Sequence, residues 1–335
     1  MPQPFFAYRS NRMKYSGVGG QAVMEGVMMK NGDQYAVAVR KPDGQIEVKV
    51  DQYKGPGTKN KLRNIPIVRG VINFIDSLYL GMSTLMYSSS FYEEEEELTE
   101  KQKEKQRKKE EGLTQEEIQK KKEKEDKALM GGTVAFSIVL ALGIFFAIPY
   151  FLSGFFRSII SSEMLIALIE GLIRLVIFIA YIALISFMPD IKRVFMYHGA
   201  EHKCINCIEH GLELNPENVR KSSKQHKRCG TSFLLIVMLI SIVFFMFIQV
   251  DSKLLRLLLR LALIPVIAGV SYEFIRLAGR YDNWFVNALS QPGLWMQRLT
   301  TREPEDDMIE VGIASVEAVF DWKKWQEEEL REQKL

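Results

Sequence analysis

The chain has 335 residues, of which 47% are hydrophobic and 25% are charged, and its formal net charge at pH 7 is +3. So small a net charge is no argument for binding to nucleic acid, and we expect no nucleic-acid partner. The hydrophobic residues are concentrated in a few long runs, which excludes an ordinary soluble protein.

Residues 1–62 are predicted to form a cytoplasmic β-rich region. "YAVAVR" and "QIEVKV" alternate apolar and polar residues on either side of Pro42-Asp43-Gly44, which is typical of a β-hairpin. "QAVMEGVMM" is interpreted as a third strand. The first twenty residues lack the apolar central region of a signal peptide, so we expect the N-terminus to remain in the cytoplasm.

Two segments of different character follow. Residues 63–90 are long and apolar enough to span a bilayer but contain Arg69, Asn73 and Asp76, which favours an interfacial or partly inserted helix. Whether this helix crosses the membrane is left open. Residues 91–130 are mostly Glu, Lys, Gln and Arg with no apolar face, which predicts a charged helical arm or linker.

Four apolar runs are each long enough to cross a hydrocarbon core of about 30 Å. They are residues 131–156, 163–188, 231–250 and 254–279. In the second run, Glu170 and Arg174 are four residues apart and are predicted to neutralise each other inside the bundle.

The predicted fold class is therefore a mainly α, polytopic membrane protein with about four transmembrane helices in residues 131–280. The loop 189–230 is rich in Lys and Arg, whereas the other loops are short, so the positive-inside rule places this loop and both termini in the cytoplasm. Residues 281–335 are expected to form a cytoplasmic helical region. The expected partners are the lipid bilayer and a membrane-associated substrate or protein.

All histidines and cysteines of the chain fall between residues 198 and 229. A helix is predicted from about Ile191 to Glu209, with Pro189-Asp190 as its N-cap and Gly211 as its stop. On that helix, His198, Glu201 and His202 share one face. His-x-x-Glu-His is the inverted zinc-peptidase arrangement, in which two imidazoles bind a divalent metal and the glutamate acts as general base.

The third ligand is left open by the sequence. We rank His226 first, Glu273 second and Cys229 third, because His226 and Cys229 lie at the mouth of the third apolar run and Glu273 is a carboxylate inside the fourth. Three protein ligands and a water would make the site catalytic, whereas four protein ligands would make it structural. Glu201 is the predicted catalytic residue, although it could instead pair with a nearby lysine.

The other histidine and cysteine residues between positions 198 and 229 have simpler interpretations. His210 stands beside Gly211 and is predicted to interact with free carbonyls at the end of the helix. Cys204 and Cys207 have the C-x-x-C spacing, but Cys204 points away from the histidine face, which argues against a redox role or a four-cysteine zinc site. Polar residues that satisfy one another without a metal remain an alternative for the whole window.

Four separated motifs resemble the YqhQ-like family of bacterial membrane proteins. They are "GGQAVMEGVMM", "YHGAEHK", "ENVRKSSKQHKRCGTSFLL" and "QRLTTREPEDDMIEVGIA". The resemblance spans about residues 16–315 and implies a membrane protein of unknown function that is predicted to be a metal-dependent enzyme. His198, Glu201, His202, His226 and Cys229 lie in these motifs.

Two functions remain open at this stage. The first is a cytoplasm-facing hydrolase that uses a divalent metal, zinc by its ligand types, with Glu201 as the base. The alternative is a non-enzymatic membrane scaffold or membrane-protein-handling factor in which zinc is structural. The number of protein ligands distinguishes the two.

Overall fold

The computed structural model describes residues 15–53, 64–92, 124, 131–248, 250, 252–281 and 283–332. The described part is mainly helical and contains one small antiparallel sheet. The chain divides into two compact units, residues 1–92 with 179–335, and residues 93–178. The charged arm predicted for residues 91–130 lies, except for positions 91, 92 and 124, outside the described residues.

The N-terminal sheet has four strands in consecutive antiparallel order. They are β1 (Val18–Val23), β2 (Gly26–Asn31), β3 (Gln34–Arg40) and β4 (Ile46–Gln52). The predicted β3–β4 hairpin is confirmed, with Gly44 in the left-handed region at φ +82°.

The single third strand predicted from "QAVMEGVMM" is wrong, because this segment folds back on itself as β1 and β2. The reversal occurs at Met24-Glu25, where Glu25 has φ 49°. Gly26, which follows the turn, permits the close approach of β3, since a Cβ atom there would lie 2.4 Å from the carbonyl oxygen of Ala38. An alternating pattern does not reveal a two-residue turn made by a non-glycine residue at positive φ.

Ten helices are named here in chain order. They are α1 (Val68–Ser89), α2 (Gly131–Ser158), α3 (Glu163–Ile185), α4 (Pro189–Glu209), α5 (Pro216–Lys221), α6 (Gly230–Met246), α7 (Lys253–Arg280), α8 (Trp284–Thr300), α9 (Asp306–Glu317) and α10 (Trp322–Glu332). In α2 the middle turn is a π-helix over Gly143–Ala147.

The core of the first unit lies between the sheet and two helices. Helix α4 packs on β1 and β2, α9 packs on β2 and β3, and the two helices also contact each other. Gly312 allows this approach, because a Cβ atom there would lie 2.9 Å from Cys204 Sγ. Most of α4 from Tyr197 onward is buried, although its sequence is rich in polar residues. Polar side chains on this helix must therefore find partners inside the protein.

Among the described residues, three helices are long and apolar enough to cross a membrane: α2, α3 and residues Leu254–Gly279 of α7. The third apolar run forms α6, which has only 17 residues and is the shorter apolar helix. The structure thus supports the expected class of helical protein with membrane-spanning segments. It does not confirm the number of four spans.

Helix α1 links the sheet to α7. At its N-terminal end, Gly70 lies so close to Gly269 that a Cβ atom would be 2.8 Å from that backbone, and Arg69 pairs with Glu273. Farther along, Asp76 accepts a 2.8 Å hydrogen bond from the Tyr53 hydroxyl. The outward side of α1 exposes a stripe of large apolar residues at helical spacing. These are Ile75, Leu78, Tyr79, Met82, Leu85 and Met86.

The second unit contains the predicted intramembrane ion pair. Arg174 donates to Glu170 at 2.8 Å, and both side chains are buried. Arg174 also donates to the carbonyl oxygen of Phe145 at 2.8 Å, within the π-helical turn of α2. A π-helical turn leaves backbone carbonyls poorly matched within the helix, and the guanidinium satisfies one of them.

Candidate metal centre

Helix α4 carries three of the predicted site residues on one buried face. It begins with Pro189 at its first position after Met188, so Met188 and not Asp190 is the N-cap. Pro189 suits that position because it has no N–H to satisfy. The helix ends before Gly211, whose φ is +70°, as predicted. His198, Glu201 and His202 lie in the middle of this rigid element.

The two helical histidines converge on a cysteine from a distant segment. The ligand atoms of His198, His202 and Cys229 all lie within 4.8 Å of one another. His198 Nε2 is 3.1 Å from Cys229 Sγ, and the two imidazole centroids are 4.4 Å apart. Two imidazoles and one thiol therefore share a pocket small enough for one ion.

Backbone carbonyls orient both imidazoles. His198 Nδ1 lies 2.8 Å from the carbonyl oxygen of Thr300, and His202 Nδ1 lies 2.7 Å from that of Lys224. A carbonyl only accepts, so each Nδ1 carries the proton and each Nε2 is left as the coordinating nitrogen. Metal-binding histidines are held in this way by the ring nitrogen that does not bind the metal.

Glu201 lies beside the cluster with one carboxylate oxygen unused. Its Oε2 is 4.0 Å from His198 Nε2 and, among the described residues, has no hydrogen-bond partner. The backbone of Gly20 in β1 hydrogen-bonds the carboxylate, and a Cβ atom at Gly20 would lie 2.9 Å from Glu201 Cγ. Burial raises the pKa of this carboxyl. The sequence alternative of a pair with Lys203 is not formed, since Lys203 binds Glu303 at 3.0 Å.

Cys229 is the N-cap of α6, and its sulfur accepts a hydrogen bond from the Thr231 amide. Burial opposes ionisation of this thiol, but the nearby charges of His198 and His202 outweigh burial and hold its pKa well below the usual range. Burial likewise opposes the charge on His198, yet the Cys229 thiolate raises the pKa of His198 to about 9. The pocket thus favours the thiolate form that binds metals.

The structure places His226 next to the cluster but turned toward other partners. Its Nε2 lies 3.0 Å from the Arg228 guanidinium, which also donates to Glu209 at 2.6 Å. Gln297 binds both the amide and the carbonyl of His226, at 2.8 and 2.7 Å. Burial lowers the pKa of His226 to about 4. His226 is therefore a neighbour of the cluster that is hydrogen-bonded to Arg228 and Gln297, and Cys229 is the third member of the cluster.

Glu273 lies apart from the cluster. Both of its carboxylate oxygens accept hydrogen bonds from Arg69, and Arg276 is 4.0 Å away. A carboxylate engaged in this way has little free capacity for a metal ion. Its role in the structure is to join α7 to α1.

The remaining histidine and the other two cysteines between residues 198 and 229 do not belong to the cluster. His210 Nδ1 lies 2.7 Å from the carbonyl oxygen of Asn206 at the end of α4. Cys204 is fully buried in the core between the sheet, α4 and α9, where burial raises its pKa. Cys207 Sγ donates to the carbonyl oxygen of Glu213 at 3.4 Å. All three cysteines are free.

Residues that position the site were not recognised from the sequence. Thr300 and Gln297 act from α8, and Glu209 acts as the partner of His226 and Arg228. A signal for the first two was present, because the motif "QRLTTREPEDDMIEVGIA" begins at Gln297 and contains Thr300. Thr300 acts through its backbone carbonyl, which every residue has, so its residue type gave no sign of this role.

The chain is similar to proteins whose activity is not named. The sequence profile of a family described as "Protein of unknown function (DUF1385)" matches residues 65–322. The chain is 37% identical over 306 residues to "Uncharacterized protein YqhQ" of Bacillus subtilis (strain 168), covering 89% of this chain and 90% of that protein. No solved structure matches significantly. The matched residues include the whole cluster and Glu201.

Proposed function

We propose that this chain, which belongs to the DUF1385 family of proteins of unknown function, binds one divalent metal ion and uses it for hydrolysis at the cytoplasmic face of a membrane. The observation that supports the proposal best is the pair of Nδ1–carbonyl hydrogen bonds of His198 and His202. They leave two Nε2 atoms directed toward the sulfur of Cys229. This is an orientation that a metal site requires.

The donor set fits zinc. Two imidazoles and one thiolate are zinc ligands, and three protein ligands leave a fourth tetrahedral position free. Glu201 is not a member of that group of three residues, which supports a role beside the ion and not as a ligand. Its Oε2 atom is buried, and none of the described residues donates a hydrogen bond to it. A water molecule held between the ion and Glu201 would satisfy it.

Different residues would activate the water molecule and hold the ligands in place. A bound zinc ion would supply Lewis acidity and lower the pKa of a water to about 7. Glu201 would take the proton of that water, and burial raises the pKa of its carboxyl, which is the direction that makes a carboxylate a stronger base. Thr300 and Lys224 hold the imidazole rings, and the Gly20 backbone steadies the Glu201 carboxylate.

For the membrane arrangement we propose four crossings, by α2, α3, α6 and α7, with both termini in the cytoplasm. Helix α6 has 17 residues, which is close to the lower limit of about 17 residues for a spanning helix. The Lys- and Arg-rich segment between α3 and α6 favours the cytoplasmic side. The metal centre would then face the cytoplasm.

A structural zinc site in a non-enzymatic scaffold is the second candidate. It is favoured by burial, because His202 and Cys229 are almost inaccessible to solvent. The cluster also joins three separate segments, α4, the stretch before α6 and the end of α8. In that case Glu201 would complete the shell or merely fill space.

The substitution Glu201→Gln separates the two candidates. For the hydrolase, the purified variant should keep its zinc and thermal stability while metal-dependent hydrolysis of chromogenic ester, phosphoester and peptide substrates falls about a hundredfold or more. His202→Ala is the matched control and should lose zinc. If wild type and Glu201→Gln hydrolyse these substrates equally, or not at all, while zinc is retained, the scaffold is correct.

A further inference from the structure

We propose that α8 lies in the lipid–water interface with its exposed apolar side in the bilayer. The sequence placed residues 281–335 entirely in the cytoplasm, so this is a second kind of membrane contact besides the spanning helices. The inference rests on the exposure and packing of α8 and does not depend on the hydrolase.

The outward side of α8 is strongly apolar. Trp284 is 79% exposed and Trp295 is 57% exposed, and Phe285 and Leu289 between them are also exposed. Arg298 is the single charged residue of the helix. Exposed large apolar residues in a continuous stripe mark an interaction surface, and tryptophan is the residue type most typical of the membrane interface.

Packing fixes α8 at the end of two apolar helices. It contacts both α6 and α7. Gly293 meets the first turn of α6, where a Cβ atom would lie 2.8 Å from the Ser232 side chain, and Gln297 donates to Ser232 Oγ at 2.7 Å. The stretch of α7 that is long and apolar enough to cross a membrane ends at Gly279, and α8 begins only a few residues later at Trp284. A helix that lies at the end of a spanning segment is at the depth of the lipid headgroups.

Lipid is the occupant that these features favour. Exposed apolar side chains also occur between the candidate spanning stretch of α7 and the start of α8, at Leu277 and Tyr281. A water-exposed protein-binding surface carries a polar rim with charged residues, whereas this side of α8 has only Arg298. An apolar face with tryptophans and few charges binds the interface mainly through buried apolar area.

The opposite side of α8 is part of the metal centre. Gln297 holds both backbone groups of His226, and the carbonyl oxygen of Thr300 orients His198. One helix therefore contacts lipid on one side and positions the imidazole on the other. This arrangement places the cluster within one helix diameter, about 10 Å, of the bilayer interface.

Tryptophan fluorescence tests the proposal with the full chain. The chain has four tryptophans, two of them on α8 and two, Trp322 and Trp325, on α10. The wild type is reconstituted in phosphatidylcholine vesicles with and without bromine atoms on the acyl chains. Because bromine quenches only nearby indoles, we expect emission to fall about twofold. In the double variant Trp284→Phe and Trp295→Phe the loss should disappear.

The matched control is Trp325→Phe, which retains both α8 tryptophans and should still lose emission in brominated lipid. All three replacements are conservative, and none is made at a fully buried residue. The proposal is overturned if brominated lipid quenches the wild type and the double variant to the same degree. It is also overturned if α8 tryptophans are protected from brominated lipid and from aqueous acrylamide alike, since a second protein copy would then cover the stripe.

Discussion

His198 Nε2 and Cys229 Sγ are 3.1 Å apart, although the residues are separated by thirty positions of intervening chain. They meet because the buried half of α4 passes beside the N-cap of α6. Each of these two groups shifts the pKa of the other in the direction that favours an imidazolium beside a thiolate. A metal ion would replace the shared proton.

The first prediction concerns the third ligand. Cys229→Ala should reduce zinc affinity about a hundredfold or more, whereas His226→Asn should reduce it only about tenfold, because His226 contacts the ligands' surroundings and does not bind the ion. Cys204→Ala is the control, as this buried cysteine faces the core away from the cluster. Zinc per chain can be counted by elemental analysis after dialysis against a weak chelator. Retention by Cys229→Ala together with loss in His226→Asn would restore the ranking expected from the sequence.

The second prediction is the pH dependence of zinc binding. Zinc must displace the proton from His198, whose pKa is about 9. Zinc affinity should therefore rise with pH below that value, by about tenfold per pH unit, and level off above it. Competition with a chelator of known affinity between about pH 6 and about pH 9 measures the slope. An affinity that does not change over this range would show that His198 and Cys229 do not share a proton.

The third prediction concerns the carbonyl that orients His198. A Cβ atom at Gly199 would lie 1.9 Å from the carbonyl oxygen of Arg302, so Gly199→Ala must push residues 300–302 away from α4. We expect a loss of about 1–3 kcal/mol in unfolding free energy and weaker zinc binding. The matched helical control is Gly132→Ala, because a Cβ atom at Gly132 has nothing within 4 Å. Thermal unfolding of the two variants compares them, and equal midpoints would contradict the contact.

The fourth prediction tests the four-crossing topology. A cysteine introduced at the exposed position Ile159 should react with a membrane-impermeant maleimide from outside intact cells. A cysteine at Leu330, also exposed, should react only after permeabilisation. The native cysteines are all buried and give a low background. Labelling of Leu330→Cys in intact cells would place the C-terminus outside and reject the proposed orientation.

The sequence was most informative where a property repeats along the chain. Apolar length identified α2, α3 and α7, and helical spacing put His198, Glu201 and His202 on one face of α4. The Glu170–Arg174 pair followed from a spacing of four residues. Such features are local, because a helix fixes the relation between residues three or four apart whatever surrounds it.

The tertiary structure alone decided which side chains share the cluster of His198 and His202. Cys229 lies in the cluster while His226 turns to Arg228 and Glu209, and Glu273 is taken up by Arg69. The sequence ranked His226 first, Glu273 second and Cys229 third, because a histidine and a carboxylate both resemble ligands until their hydrogen-bond partners are known. The sequence determines which potential ligand side chains the protein contains. The packing of α4, α6 and α8 determines which of their atoms come within a few ångströms of one another.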